Sequence, residues 1–105
     1  MNWIQIGSLE DFPRQGARIV NTARGEVAVF RTLDDQLFAL DNRCPHKGGP
    51  LAQGIVHGHR VTCPLHGWAI ALESGEAVAP DVGCAHRHAV KLEQGQVFLD
   101  SADPS

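Results

Sequence analysis

Nowhere in its 105 residues does the chain carry an apolar run long enough to span a bilayer. The opening MNWIQIGSLEDFP has neither the basic flank nor the apolar centre of a secretion signal, so the cytoplasm is the expected compartment. Basic excess is missing as well. Nine Lys and Arg against twelve Asp and Glu give a formal charge of −3, which argues against a nucleic-acid or membrane-surface partner. The three cysteines, Cys44, Cys63 and Cys84, are an odd number, whereas the disulfide framework of a small secreted domain uses an even one. No segment sustains a helical period, no repeat of solenoid length occurs, and no nucleotide-binding glycine loop is present.

What is there fits a single domain over residues 1–105, 43% hydrophobic, with room for a modest core. Short β-rich runs alternate with glycine-marked turns. WIQIG (3–7) reads as a strand, and Ser8 caps a single helical turn that Pro13 ends. ARIVNTA and EVAVFRTL form a hairpin through Arg24-Gly25, a turn at 34–35 follows, and QLFALDN is the next strand. IVHGHRVTC turns at Gly58, WAIAL is a strand, and an irregular stretch leads to a closing hairpin through Gly95. The tail, 100–105, is expected to fray. Turn signals every 8 to 12 residues or so predict an all-β antiparallel sandwich or barrel.

Six histidines are many for so short a chain, and they concentrate between residues 46 and 88. Two loops, about 43–51 (RCPHKGGPL) and about 62–68 (TCPLHGW), each place a Cys-Pro ahead of a histidine. The pattern is C-x-H, sixteen residues, then C-x-x-H, from Cys44, His46, Cys63 and His66. Two thiolates and two imidazoles suit either zinc or an iron–sulfur centre. A structural zinc site tends to pair Cys with Cys and His with His, and C-x-H is tighter than the usual zinc knuckle. One Cys and one His from each loop is the donor set of a Rieske [2Fe–2S] centre, two sulfurs on one iron and two nitrogens on the other. A zinc-stabilised interaction module stays open as the alternative. With only two thiolates, an oxidised [2Fe–2S] core is formally neutral, so accepting an electron costs less than in an all-cysteine ferredoxin.

From WIQI to VFLD the chain resembles the Rieske family. The resemblance implies an all-β domain whose two loops form a small cluster-binding subdomain. It also implies ligation through Nδ1 of His46 and His66, with Nε2 near the surface as the electron exit. High-potential members carry an additional, disulfide-bonded cysteine in each loop, where this chain has Gly49 and Leu65; they also place a serine where Trp68 stands. Without that hydroxyl the potential is expected at the low end of the Rieske range, roughly −150 mV, which suits supply by NAD(P)H rather than quinol. Gly48, Gly49 and Gly67 would let backbone amides approach the sulfides. Leu51 and Leu65 would cover the apolar side, and Trp68 would either shield the cluster or begin the core of the next strand, with the second preferred. His57 and His59 read as solvated turn residues, His86 and His88 as structural, and Cys84 as a small buried apolar residue. Arg43 and Lys47, flanking His46, would be solvated or meet an acidic surface.

ALDNRCPHKGGPLAQGIVHG, VTCPLHGWAIALESGEA and PDVGC are most similar to the small subunits of assimilatory NAD(P)H-dependent nitrite reductases. That likeness implies a large partner subunit carrying FAD, another iron–sulfur cluster and sirohaem, which reduces nitrite to ammonium. Gly67, where such subunits often have Asn, gives HGW, a form common in Rieske ferredoxins. The alternative is therefore a free ferredoxin carrying electrons from a flavin reductase to an aromatic-ring-hydroxylating dioxygenase.

Overall fold

The computed structural model describes residues 3–22, 25–43, 49–63, 67–78 and 83–100. Among them run β1 (Trp3–Ser8), β2 (Gly16–Thr22), β3 (Gly25–Arg31), β4 (Leu37–Asp41), β5 (Ile55–His57), β6 (Arg60–Thr62), β7 (Ala69–Ala71), β8 (Arg87–His88), β9 (Val90–Glu93) and β10 (Gln96–Asp100). All their pairings are antiparallel. They form three sheets, ordered β1-β10-β9, β2-β3-β4-β8 and β5-β6-β7. This is the all-β architecture expected. Of the tail expected to fray, 100–105, Asp100 instead ends β10, with its N–H bonded to the Ala89 carbonyl at 3.0 Å, and 101–105 lie outside the described residues.

The run VAVF, 27–30, owes its unbroken hydrophobicity to the position of β3. Alternate side chains of a strand point to opposite faces, and here both faces are covered. Ala28 and Phe30 face one core, with Leu40, Leu51, Val56, Val61, Cys63, Ile70, Leu72 and Ala85. Val27 and Val29 face a second, with Phe12, Ala39, Val97 and Leu99. Each fully buried side chain of this size is worth about 1.5–3 kcal/mol. The first core lies between the four-stranded sheet and β5-β6-β7; the second lies between the four-stranded sheet and β1-β10-β9.

Ser8 opens a 3-10 turn over Leu9–Asp11, where its N–H donates to the Asp11 carboxylate at 2.9 Å. That bond holds the Asp11 carboxyl below the usual carboxylate range. The buried Arg31 guanidinium fastens this turn to the sheet, donating to the carbonyls of Leu9 (3.2 Å) and Phe12 (3.0 Å) and pairing with Asp35 (2.8 Å). Two elements were not foreseen. A 3-10 turn over Leu51–Gln53 closes the first Cys/His loop. Strand β8 lies in the stretch expected to be irregular and pairs Ala39 with His88 and Leu40 with Arg87. Two residues are too few to show a period, and their partner lies almost fifty positions away. No helix among the described residues is long and apolar enough to cross a membrane.

Candidate metal centre

The second loop grows from the end of β6. Cys63, the next residue, is 1% exposed, bears a free thiol, and packs in the same core as Leu51, Val61 and Ile70. Its N–H donates to the Trp68 carbonyl at 2.7 Å, and the Gly67 N–H donates to the Cys63 carbonyl at 3.1 Å. These main-chain bonds shut the loop at its root. Gly67 makes the closure possible with a φ of +71°, a left-handed conformation that costs glycine little. Gly67 is exposed, and Trp68 is half-buried against the core just before β7, which agrees with its expected core role.

The first loop leaves β4 after Asp41. The Asn42 N–H donates to the Glu26 carbonyl at 3.0 Å, and its side-chain amide donates to Glu26 Oε1 at 3.1 Å. Its Oδ1 accepts the Ala52 N–H at 2.7 Å. Gly49 is buried, and so is Leu51, at 0% exposure. Gly54 then passes so close to β6 that a Cβ there would sit 2.3 Å from the Thr62 carbonyl oxygen. The roots of the two loops therefore touch through backbone, one residue from Cys63. Asn42 was read only as the end of a strand. The signal that could have found it is an amide immediately before a loop whose far end starts with Pro50, a residue unable to cap a turn.

Cys44, His46, Gly48, Leu65 and His66 lie outside the described residues, as does Lys47; of the four expected ligands, Cys63 is the one the structure places. The other histidines divide. His57 is exposed, and its Nε2 lies 2.7 Å from Thr62 Oγ1. His59 departs from the expected solvated turn residue. Its Nδ1 lies 2.9 Å from Glu73 Oε1 and its Nε2 lies 3.2 Å from Asp34 Oδ2, because the β5–β6 turn folds back over the β3–β4 turn. Hydrogen bonding to Glu73, and then to Asp34, raises its pKa above the ordinary 6.5. His88 is structural, as expected: its side chain is 7% exposed, with Nε2 2.7 Å from Asp41 Oδ1. The His86 and His88 rings meet edge to face at 4.9 Å. Cys84 is exposed rather than buried. It forms an isolated bridge with Glu76, and the alternation of the chain gives the core position to Ala85 instead. No three His, Cys, Asp or Glu among the described residues are arranged to hold a metal ion, so Cys84, His86 and His88 do not make a second site.

The family model described as "Rieske [2Fe-2S] domain" matches residues 2–83. The chain belongs to that Rieske family. The ferredoxin component of the naphthalene 1,2-dioxygenase/salicylate 5-hydroxylase systems of Ralstonia sp is 28% identical, over 93% of this Rieske domain and 94% of that protein. The cholesterol 7-desaturase of Hemicentrotus pulcherrimus is 34% identical over 72% of the chain. The domain spans only 16% of that relative's length, and 28% of a methylsterol monooxygenase's. A Mycobacterium tuberculosis protein assigned as an NADH-dependent nitrite reductase small subunit shares the fold, with a TM-score of 0.86 at 21% identity, covering 97% of this chain and 96% of its own.

A [2Fe–2S] cluster is the cofactor of a Rieske domain, and when bound it supplies a reversible one-electron step. The described part of the site fits it. Cys63 offers a free sulfur donor, shielded from water, at the root of a loop shut at its base by two main-chain bonds. Family membership sets the zinc reading aside.

Proposed function

We propose that this Rieske domain is a cytoplasmic one-electron carrier whose cluster is held by Cys44, His46, Cys63 and His66, with one cysteine and one histidine from each loop. The observation that carries the proposal is Cys63, a buried free thiol where two main-chain bonds close the C-x-x-H loop. Gly48, Gly49 and Gly67 would let backbone N–H groups face the sulfides, Leu65 would cover the apolar side, and Trp68 supports the loop from the core. These 105 residues contain no nucleotide-binding glycine loop, so the cluster would receive its electrons from outside this domain.

The partner we favour is the large, FAD-, iron–sulfur- and sirohaem-containing subunit of an NAD(P)H-dependent nitrite reductase acting in nitrate assimilation. CPHKGGPLAQGIVHG and DVGC support this reading. One observation favours a second reading: the Ralstonia ferredoxin component matches almost end to end. In that case a flavin reductase would load the domain and an aromatic-ring-hydroxylating dioxygenase would unload it.

Isolation from its native host, followed by redox titration, separates the two. Stable co-isolation with a sirohaem protein, and reduction of the domain when NAD(P)H is added to that complex, support the nitrite reductase subunit. Isolation as a free protein that sustains turnover of a dioxygenase selects the ferredoxin. A midpoint potential of roughly −150 mV is expected in either case. Zinc in place of iron and acid-labile sulfide would defeat both.

A further inference from the structure

The 3-10 turn at Leu51–Gln53 has an unusual start. Its cap position is Pro50, whose side chain has no hydrogen-bonding atom and makes no cap bond. The Ala52 N–H, packed beside the fully buried Leu51, would be left without an acceptor. Asn42 Oδ1, ten residues earlier, supplies it at 2.7 Å. The same amide group donates from Nδ2 to Glu26 Oε1, and the Asn42 main chain is bonded to the Glu26 carbonyl. One side chain thus holds the two ends of loop 43–51 together and ties both to β3.

We infer that Asn42 is a positioning residue for the Rieske cluster: its amide is the clasp that fixes the span of the loop bearing Cys44 and His46. Only a group that donates and accepts at once can do this. A carboxylate of the same shape would accept from Ala52 but would face Glu26 as a like charge. An aliphatic side chain would leave both partners unbonded. The inference rests on the Rieske reading, which iron and acid-labile sulfide analysis of the unaltered protein tests separately.

The experiment uses the full chain in three forms: unaltered, Asn42→Ala, and Asn42→Asp combined with Glu26→Gln. The double substitution exchanges amide and carboxylate, so it preserves the charge and allows the same two side-chain bonds. Loss of the visible absorbance is followed in excess chelator, together with the midpoint potential and the reduced-state EPR g-values. Losing the bond to Ala52, together with the exposed bond to Glu26, should speed cluster release about tenfold in Asn42→Ala. It should also shift the g-values and the potential of whatever cluster remains. The exchanged pair should return all three readouts close to those of the unaltered protein. If Asn42→Ala assembles no cluster, full occupancy in the exchanged pair supports the clasp. The inference is overturned if Asn42→Ala matches the unaltered protein in release rate, potential and g-values, or if the exchanged pair is no better than Asn42→Ala.

Discussion

The two Cys/His loops of this Rieske domain are shut at their described ends by different means. Among the described residues, loop 62–68 is shut at its base by two backbone bonds between Cys63 and the Gly67-Trp68 segment, with Trp68 packed against the core. Loop 43–51 is longer in sequence, and side chains fasten its described ends: the Asn42 amide bonded to Ala52 and Leu51 buried in the core. A short loop can be specified by one glycine with a positive φ. A longer one must be fastened residue by residue, and it is correspondingly more exposed to substitution.

The strongest way to break this contrast is Leu51→Ala. Leu51 is fully buried among Phe30, Leu40, Val61 and Cys63. Removing it should cost about 3 kcal/mol of stability in urea unfolding, for lost transfer energy and a cavity. Cluster retention in chelator should fall with it, because the plug belongs to the first loop and borders Cys63 of the second. A loss below about 1 kcal/mol would mean the core closes over the gap and the loop does not depend on the plug.

Next comes Gly54→Ala. Its Cβ would stand 2.3 Å from the Thr62 carbonyl oxygen and 2.9 Å from a Val61 methyl, although the φ of Gly54, −77°, suits any residue. The expected loss is about 2 kcal/mol, the usual scale of overpacking, accompanied by displacement of β6 and Cys63. Gly58→Ala is the matched control in the same hairpin. Gly58 has a φ of +58° and open space around it, so only conformational strain of about 1 kcal/mol applies. Equal losses at the two positions would show that close approach of the loop roots is not what Gly54 provides.

Much of this was legible in the sequence because it is local. Alternation marks WIQIG, and the β-rich EVAVFRTL marks a strand of a hairpin, although the covering of both its faces came only with the structure. Paired Cys-Pro segments announce the loops. What escaped is non-local. Strand β8 exists only because β4 offers it an edge. The role of Asn42 depends on an N–H ten residues away, and the raised pKa of His59 depends on carboxylates 14 and 25 positions away. Cys84 was misplaced because its composition suggested burial while the register gave that position to Ala85.

The smallest effect concerns the other fastening of the second loop's sheet. Asn42 does not titrate, whereas His59, which joins the β5–β6 turn to Asp34 and Glu73, does. A neutral imidazole has one N–H and can donate to one carboxylate; only the imidazolium donates to both. The His59 pKa is raised above 6.5 in the folded protein, so its contribution is complete below about pH 6.5 and is lost as pH rises through the raised value. Asp34 works in the opposite sense. Its carboxyl lies below the ordinary 3.8, held first by the Thr32 hydroxyl and then by His59, so its share is present above about pH 3.8 and disappears as pH falls through the lowered value. The link is therefore strongest between these limits. His59→Gln keeps a polar side chain but removes the charge. Subtracting its urea midpoints from those of the unaltered protein, from pH 5 to 9, should leave a small positive difference that shrinks above about pH 6.5 and is reduced by 0.5 M salt, since the pair is exposed. A difference that stayed flat with pH would mean that His59 fastens the two turns through its ring contact with Phe38, centroids 5.4 Å apart, and not through its charge.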